Sequence, residues 1–112
     1  MESYLPGEIV LLAFPFTDAA GTKRRPALVL LDTGDADIVV ARVTSQIALT
    51  AYDVELTEWP QAGLRLPSVV RVQKLATLEK NLVEQRLGSL TASDWTRVRS
   101  AIQRLWASIL SE

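Results

Sequence analysis

Three consecutive cations, Lys23, Arg24 and Arg25, stand directly before Pro26 and the apolar run "ALVL". Charges at the mouth of a segment that should be buried have two readings. An arginine offers a fixed fork of donors that suits an anion, and it keeps its charge at any physiological pH. The plainer reading is a solvated loop end whose charges discourage edge-to-edge strand pairing. About twenty residues on, "VTSQ" (43–46) supplies two hydroxyls and an amide, Thr44, Ser45 and Gln46, behind another apolar run. Alone, such a stretch is an ordinary strand end whose hydroxyls satisfy turn amides.

What the chain lacks narrows the chemistry further. There is no cysteine and no histidine among the 112 residues. A disulfide framework, a thiolate or imidazole zinc site, a Ser-His-Asp or Cys-His triad and paired-histidine ribonuclease chemistry are therefore all excluded. No clustered Asp/Glu spacing reads as a metal cage, so no cofactor is expected. Any catalysis must run on Arg, Lys, Thr, Ser, Tyr or carboxylates.

Net charge is −1, which by itself is no signature of a nucleic-acid binder, but the distribution is uneven. Residues 32–58 hold six carboxylates against the single Arg42, whereas residues 59–106 hold eight basic groups and three acidic ones. Charge asymmetry of this kind is also what ordinary solubilising surface produces. With 48% apolar residues the chain can build a core, and its length suits one domain spanning 1–112. No apolar run approaches the roughly 20 residues a membrane span requires, and "MESYLPGE" lacks the basic start of an export signal, so a cytoplasmic protein off the membrane is expected.

The elements that must position these residues are short strands. "GEIVLLAF" (7–14), "PALVLL" (26–31), "DIVVARV" (37–43), a weaker "YDVEL" (52–56), "SVVRVQKLATL" (68–78) and "EQRLGSL" (84–90) are aliphatic or alternating and bounded by turn residues. The stretch between the first two is too short for a helical crossover and fits an antiparallel hairpin with a long loop. A short helical turn is expected near "LEKN". From Thr91 the period changes: Trp95, Val98, Ile102, Leu105, Trp106 and Ile109 recur at spacings of three and four, predicting an amphipathic helix over 91–110 with both tryptophans on its core face. Thr91 with Asp94 matches a capping box. Trp59, beside Pro60 in a polar loop, reads equally as a surface contact or as a packed residue. A strand meander followed by one helix indicates a mainly β fold, a small, strongly curved sheet or partial barrel.

Taken in order, "PGEIVLLAFPFTDAAGTKRRPALVL", "VTSQI" (43–47) and "LPSVVRVQKLATLEKNLVEQRLGSL" followed by a terminal helix resemble the MazF/PemK toxins of bacterial toxin–antitoxin systems over nearly the whole chain. The most specific features are the arginine before the proline that opens the second strand, Arg25 and Pro26, and the threonine after the third, Thr44. The resemblance implies an SH3-like barrel with a C-terminal helix. It also implies a homodimer that cleaves single-stranded RNA without a metal, a cognate antitoxin as partner, and contact with DNA only through that antitoxin. On it, Arg25 and Thr44 match the catalytic pair, and Phe16, Asp18, Lys23, Arg24, Ser45 and Gln46 fall where RNA contacts are expected. The loop before the arginine is short here and lacks the acidic-Gln-Gly run of longer-loop members. Asp18 is then the nearest carboxylate, and the general base stays open.

RNA carries its own nucleophile, the 2′-hydroxyl, so histidine is useful but not compulsory. Arg25 suits stabilisation of transition-state charge on a phosphate better than proton transfer, given its high pKa. Thr44 adds a hydroxyl from a strand end, with Ser45 and Gln46 beside it. Two other functions are weighed against the ribonuclease. A protein-binding toxin of the same fold, like the gyrase poison CcdB, needs no catalytic pair; that relative acts through a tryptophan at its extreme C-terminus, where this chain ends "SILSE". An SH3-like adaptor should display an aromatic-lined groove, yet only 6% of residues are aromatic.

Overall fold

The computed structural model describes residues 2–15, 22–47 and 49–111. They form six strands and one helix: β1 (Glu8–Pro15), β2 (Thr22–Asp32), β3 (Asp37–Thr44), β4 (Asp53–Glu55), β5 (Val69–Glu79), a 3₁₀ turn (Lys80–Leu82), β6 (Val83–Ser89) and α1 (Ala92–Leu110). The strands join in one antiparallel sheet of order β4-β5-β3-β2-β1-β6. β4 and β6 are its two edges, so the barrel-like sheet is curled but its ladder is not closed.

Alternation along the strands buries both faces. Ile9, Leu28, Val43, Val70 and Val72 pack with Val98 and Ala101 of α1. Val10, Leu12, Ala27, Val29, Ile38 and Val40 form a second cluster with Tyr4, to which Ala76, Leu78, Leu82 and Val83 add. No residue of α1 belongs to that second cluster, so the sheet must bend around it. The bend has identifiable sources in the register shifts of β1 on β6, β2 on β3 and β3 on β5, since an extra residue on one strand kinks it and increases its twist.

Three expectations need correction. The second strand starts at Thr22, not at residue 26, so Lys23, Arg24 and Arg25 lie inside β2, paired with Phe14, Ala13 and Leu12 of β1. The cations are part of the ladder rather than of the loop before it. Trp106 and Ile109 are not core residues: they are 61% and 54% exposed. The 19-residue α1 rises about 28 Å and packs on β4 and β5 through its first four turns. Beyond Leu105 the contact becomes polar, Tyr52 Oη lying 2.7 Å from Ser108 Oγ. Finally, only half of the capping box forms. Thr91 Oγ1 accepts the N–H of Asp94 at 3.3 Å, but the Asp94 carboxylate turns away from Thr91 to residues 57 and 58.

Trp59 is half-buried against the first cluster, which settles its two readings in favour of packing. Among the described residues no helix is long and apolar enough to cross a membrane.

Candidate functional site

β1 and β2 stay paired to their ends, Pro15 against Thr22. β3 and β5 likewise stay paired to Thr44 against Val69. Between β2 and β3, however, the ladder stops at Ala27 against Arg42. The reason is in the sequence: the next residue of β2 is Pro26, which has no N–H to donate to β3. The sheet therefore splits between its two central strands, and a cleft of about 720 Å³ opens there, within the roughly 300–1,000 Å³ usual for a binding site.

Arg25 and Thr44 border the split from its two sides. Carried two residues past its last pair, the β2–β3 register sets them opposite each other. Arg25 is half-buried. Thr44 Oγ1 accepts the N–H of Gln46 at 3.1 Å, which is the turn-satisfying bond an ordinary strand end would make. That bond uses a lone pair and leaves the hydroxyl hydrogen for another acceptor. The same turn is held from below, where Arg71 donates to the carbonyl of Gln46 and to Asp53 Oδ2 at 2.8 Å. Asp53 is wholly buried in that pair, so Thr44, Ser45 and Gln46 stand on a fixed base.

Of the eight residues expected at the site, Arg24, Arg25, Thr44, Ser45 and Gln46 line this one cleft. Lys23 is exposed on β2 and is not among the lining residues. Phe16 and Asp18 lie outside the described residues. Arg24 Nε is 2.5 Å from Glu84 Oε1 of β6, a mostly exposed pair that screens part of its charge.

The structure adds lining residues that pattern-reading missed: Arg42 of β3, Ser68 before β5, Gln85 of β6, and Arg65 with Leu66 from residues 56–68. Arg42 was within reach, because it stands two residues before Thr44 on a strand and so shares its side of the sheet. The described residues lining the cleft thus include four arginines and no carboxylate. Among the described residues no carboxylate pairs with Arg25, Arg42 or Arg65. Among the described residues three arginines around one opening thus have no carboxylate partner, and such charge with hydroxyls beside it suits an anion.

Residues 5–106 match the family model of the PemK-like, MazF-like toxin of type II toxin–antitoxin systems. Among curated proteins none matches the chain. The fold is similar to that of MazF in a MazE–MazF crystal structure from Deinococcus radiodurans, with a TM-score of 0.75 at 25% identity, covering 94% of this chain and 98% of that one. It is also similar to an endoribonuclease solved with its cognate antitoxin from a mycobacterial species, with a TM-score of 0.75, 18% identity and coverage of 94% and 96%. The Mycobacterium tuberculosis toxin MazF-mt6 aligns with a TM-score of 0.70, 22% identity and coverage of 88% and 96%.

Proposed function

The chain belongs to the PemK-like, MazF-like toxins of type II toxin–antitoxin systems, and from that premise we propose that it is an endoribonuclease that cuts single-stranded RNA without a metal. One observation carries the reading: the split between β2 and β3 is bordered by Arg25 and Thr44 within a lining of four arginines and no described carboxylate. Arginine donates to phosphate oxygens and is no ligand for a hard cation, and the described lining offers no carboxylate to hold one. Of the similar structures, one is an endoribonuclease in complex with its cognate antitoxin and another a MazE–MazF complex.

In the proposed reaction the 2′-hydroxyl loses its proton to solvent as its oxygen attacks the adjacent phosphorus. The bond to the 5′-oxygen breaks as that oxygen takes up a proton from solvent, and the products are a 2′,3′-cyclic phosphate and a 5′-hydroxyl. Charge accumulates on the non-bridging oxygens as the phosphorus becomes five-coordinate. Arg25 clamps two of these oxygens with its fork, and Thr44 donates its free hydroxyl hydrogen to one. Ser45 and Gln46 contact the same phosphate or the neighbouring base. The reading includes one domain over 1–112, a homodimer, a cognate antitoxin, and a cytoplasmic location, where its RNA would be. Exposed Trp106 and Leu110 at the end of α1 support a protein partner on the molecule. Sedimentation of the purified protein at micromolar concentration tests the dimer; a monomer alone would refute it. Mapping both ends of the fragments that purified protein makes from RNA tests the activity, and intact RNA at all protein concentrations would refute it.

A further inference from the structure

Residues 56–68 join β4 to β5 without strand or helix, yet their placement is tightly fixed. Trp59 anchors them on the core, and its carbonyl accepts the N–H groups of Ala62 and Leu64 while that of Pro60 accepts from Gly63. Gly63 sits at φ +82°, and a Cβ there would stand 2.0 Å from the carbonyl oxygen of Leu87. On the facing strand, a Cβ at Gly88 would stand 2.6 Å from the carbonyl oxygen of Ala62. Two backbones touch where no side chain fits, so the segment lies directly on β6. The next residues, Leu64, Arg65 and Leu66, are thereby brought to the cleft.

Arg65 arrives there exposed and with no carboxylate partner among the described residues. It comes from a different element than Arg25 and Thr44, and none of the described lining residues is aromatic, so what these residues offer a nucleic acid is chiefly charge and hydrogen bonding to its phosphates. We propose that Arg65 holds a phosphate of the RNA other than the one being cut, fixing the strand at a second point; this rests on the ribonuclease reading above. Arg65 is thus a substrate-holding residue, and the Gly63–Gly88 contact is what aims it.

The test compares wild type, Arg65→Ala and Arg65→Lys. Binding is read with a fluorescent pool of 2′-O-methyl oligonucleotides, which cannot be cleaved, over a range of salt; cleavage is read with unmodified RNA. Thermal unfolding should be unchanged, because the side chain is exposed. Expected for Arg65→Ala is binding weakened about tenfold, a log–log salt slope reduced in magnitude by about 0.7, and a loss that falls on KM rather than kcat. Arg65→Lys should recover most of the salt slope, since it restores a point charge. Wild-type affinity and slope in Arg65→Ala would overturn the proposal, and so would a fall in kcat at unchanged affinity, which would put Arg65 in the reaction itself. Wild type that binds the pool but cuts nothing would refute the ribonuclease reading while the binding comparison still decides Arg65. Wild type that neither binds nor cuts refutes both.

Discussion

The carboxylate of Asp94, in the first turn of α1, accepts the backbone N–H of Glu58 at 2.9 Å although 36 residues separate them. Its other oxygen accepts the N–H and the hydroxyl of Thr57 at 3.1 and 2.9 Å and is 3.1 Å from Arg97 Nη1. Thr91 completes the junction by donating to Glu58 Oε1 at 2.7 Å. One side chain thus fastens the helix to the start of the segment that ends at the cleft. Burial alone would raise the pKa of Asp94, but the bonds from Glu58, Thr57 and Arg97 outweigh it and the net shift is downward.

Asp94→Ala should therefore destabilise the fold by about 2 kcal/mol, because it leaves the part-buried N–H groups of Thr57 and Glu58 without their acceptor and reduces Arg97 to its bond with the Glu55 carbonyl. The urea midpoint measures this. Asp94→Asn keeps one acceptor oxygen and should cost less; equal stability of all three proteins would contradict the assigned role.

Arg25→Ala should lower the cleavage rate by roughly a hundredfold or more, the scale of losing one transition-state contact, with unfolding unchanged. Arg25→Lys should restore little, since a point charge cannot span two phosphate oxygens. Thr44→Ala should fall between, as Thr44 also braces the turn at Gln46. Activity equal to wild type in Arg25→Ala would remove that residue from the mechanism.

Acid should weaken the fold through a buried ion pair. Lys80 Nζ and Asp32 Oδ1 are 2.8 Å apart, with side chains only 7% and 6% exposed. The bond from Lys80, followed by those from the N–H groups of Tyr4 and Gly34, brings the Asp32 pKa down from 3.8 to about 2. The carboxylate is thus stabilised by folding. Its contribution is complete above pH 3.8 and is lost as pH falls through about 2. Wild type should exceed Asp32→Asn in stability above about pH 4, and the gap should close towards pH 2. A gap that stays constant over that range would mean the pair does not titrate as described.

The strands and the helix were legible in the sequence because their signals are periodic and local: alternation in 37–43, the three-four spacing from Trp95. Arg25 and Thr44 were legible only through resemblance, as a cation before a proline and a hydroxyl after a strand have plain local explanations. What sets them opposite each other is the β2–β3 register carried past its last pair, and what opens the cleft between them is Pro26 ending that ladder, consequences of pairing and not of spacing. Arg65 was invisible for the same kind of reason. Its segment has no period, and it reaches the cleft through a contact between Gly63 and β6, 25 positions from Gly88 in the chain. Trp106 was misplaced because the apolar period of α1 continues after its support ends; periodicity tells which face of a helix is apolar, not how far its partner extends.

The products test the mechanism most directly. In the proposed reaction Arg25 and Thr44 act as donors to the phosphate and neither supplies a nucleophile, so the attacking oxygen comes from the RNA or from water. If it is the 2′-hydroxyl, cleavage persists in excess chelator, each cut leaves a 2′,3′-cyclic phosphate and a 5′-hydroxyl, and a single 2′-deoxy sugar preceding the scissile phosphate blocks that cut alone. Binding of the substituted strand should be nearly unchanged, because the phosphates that the arginines hold are intact. Loss of the cut with retained binding separates the nucleophile from the contacts that hold the strand. Cutting at the deoxy position, or 5′-phosphate ends, would assign the attack to water and leave Arg25 and Thr44 with binding alone.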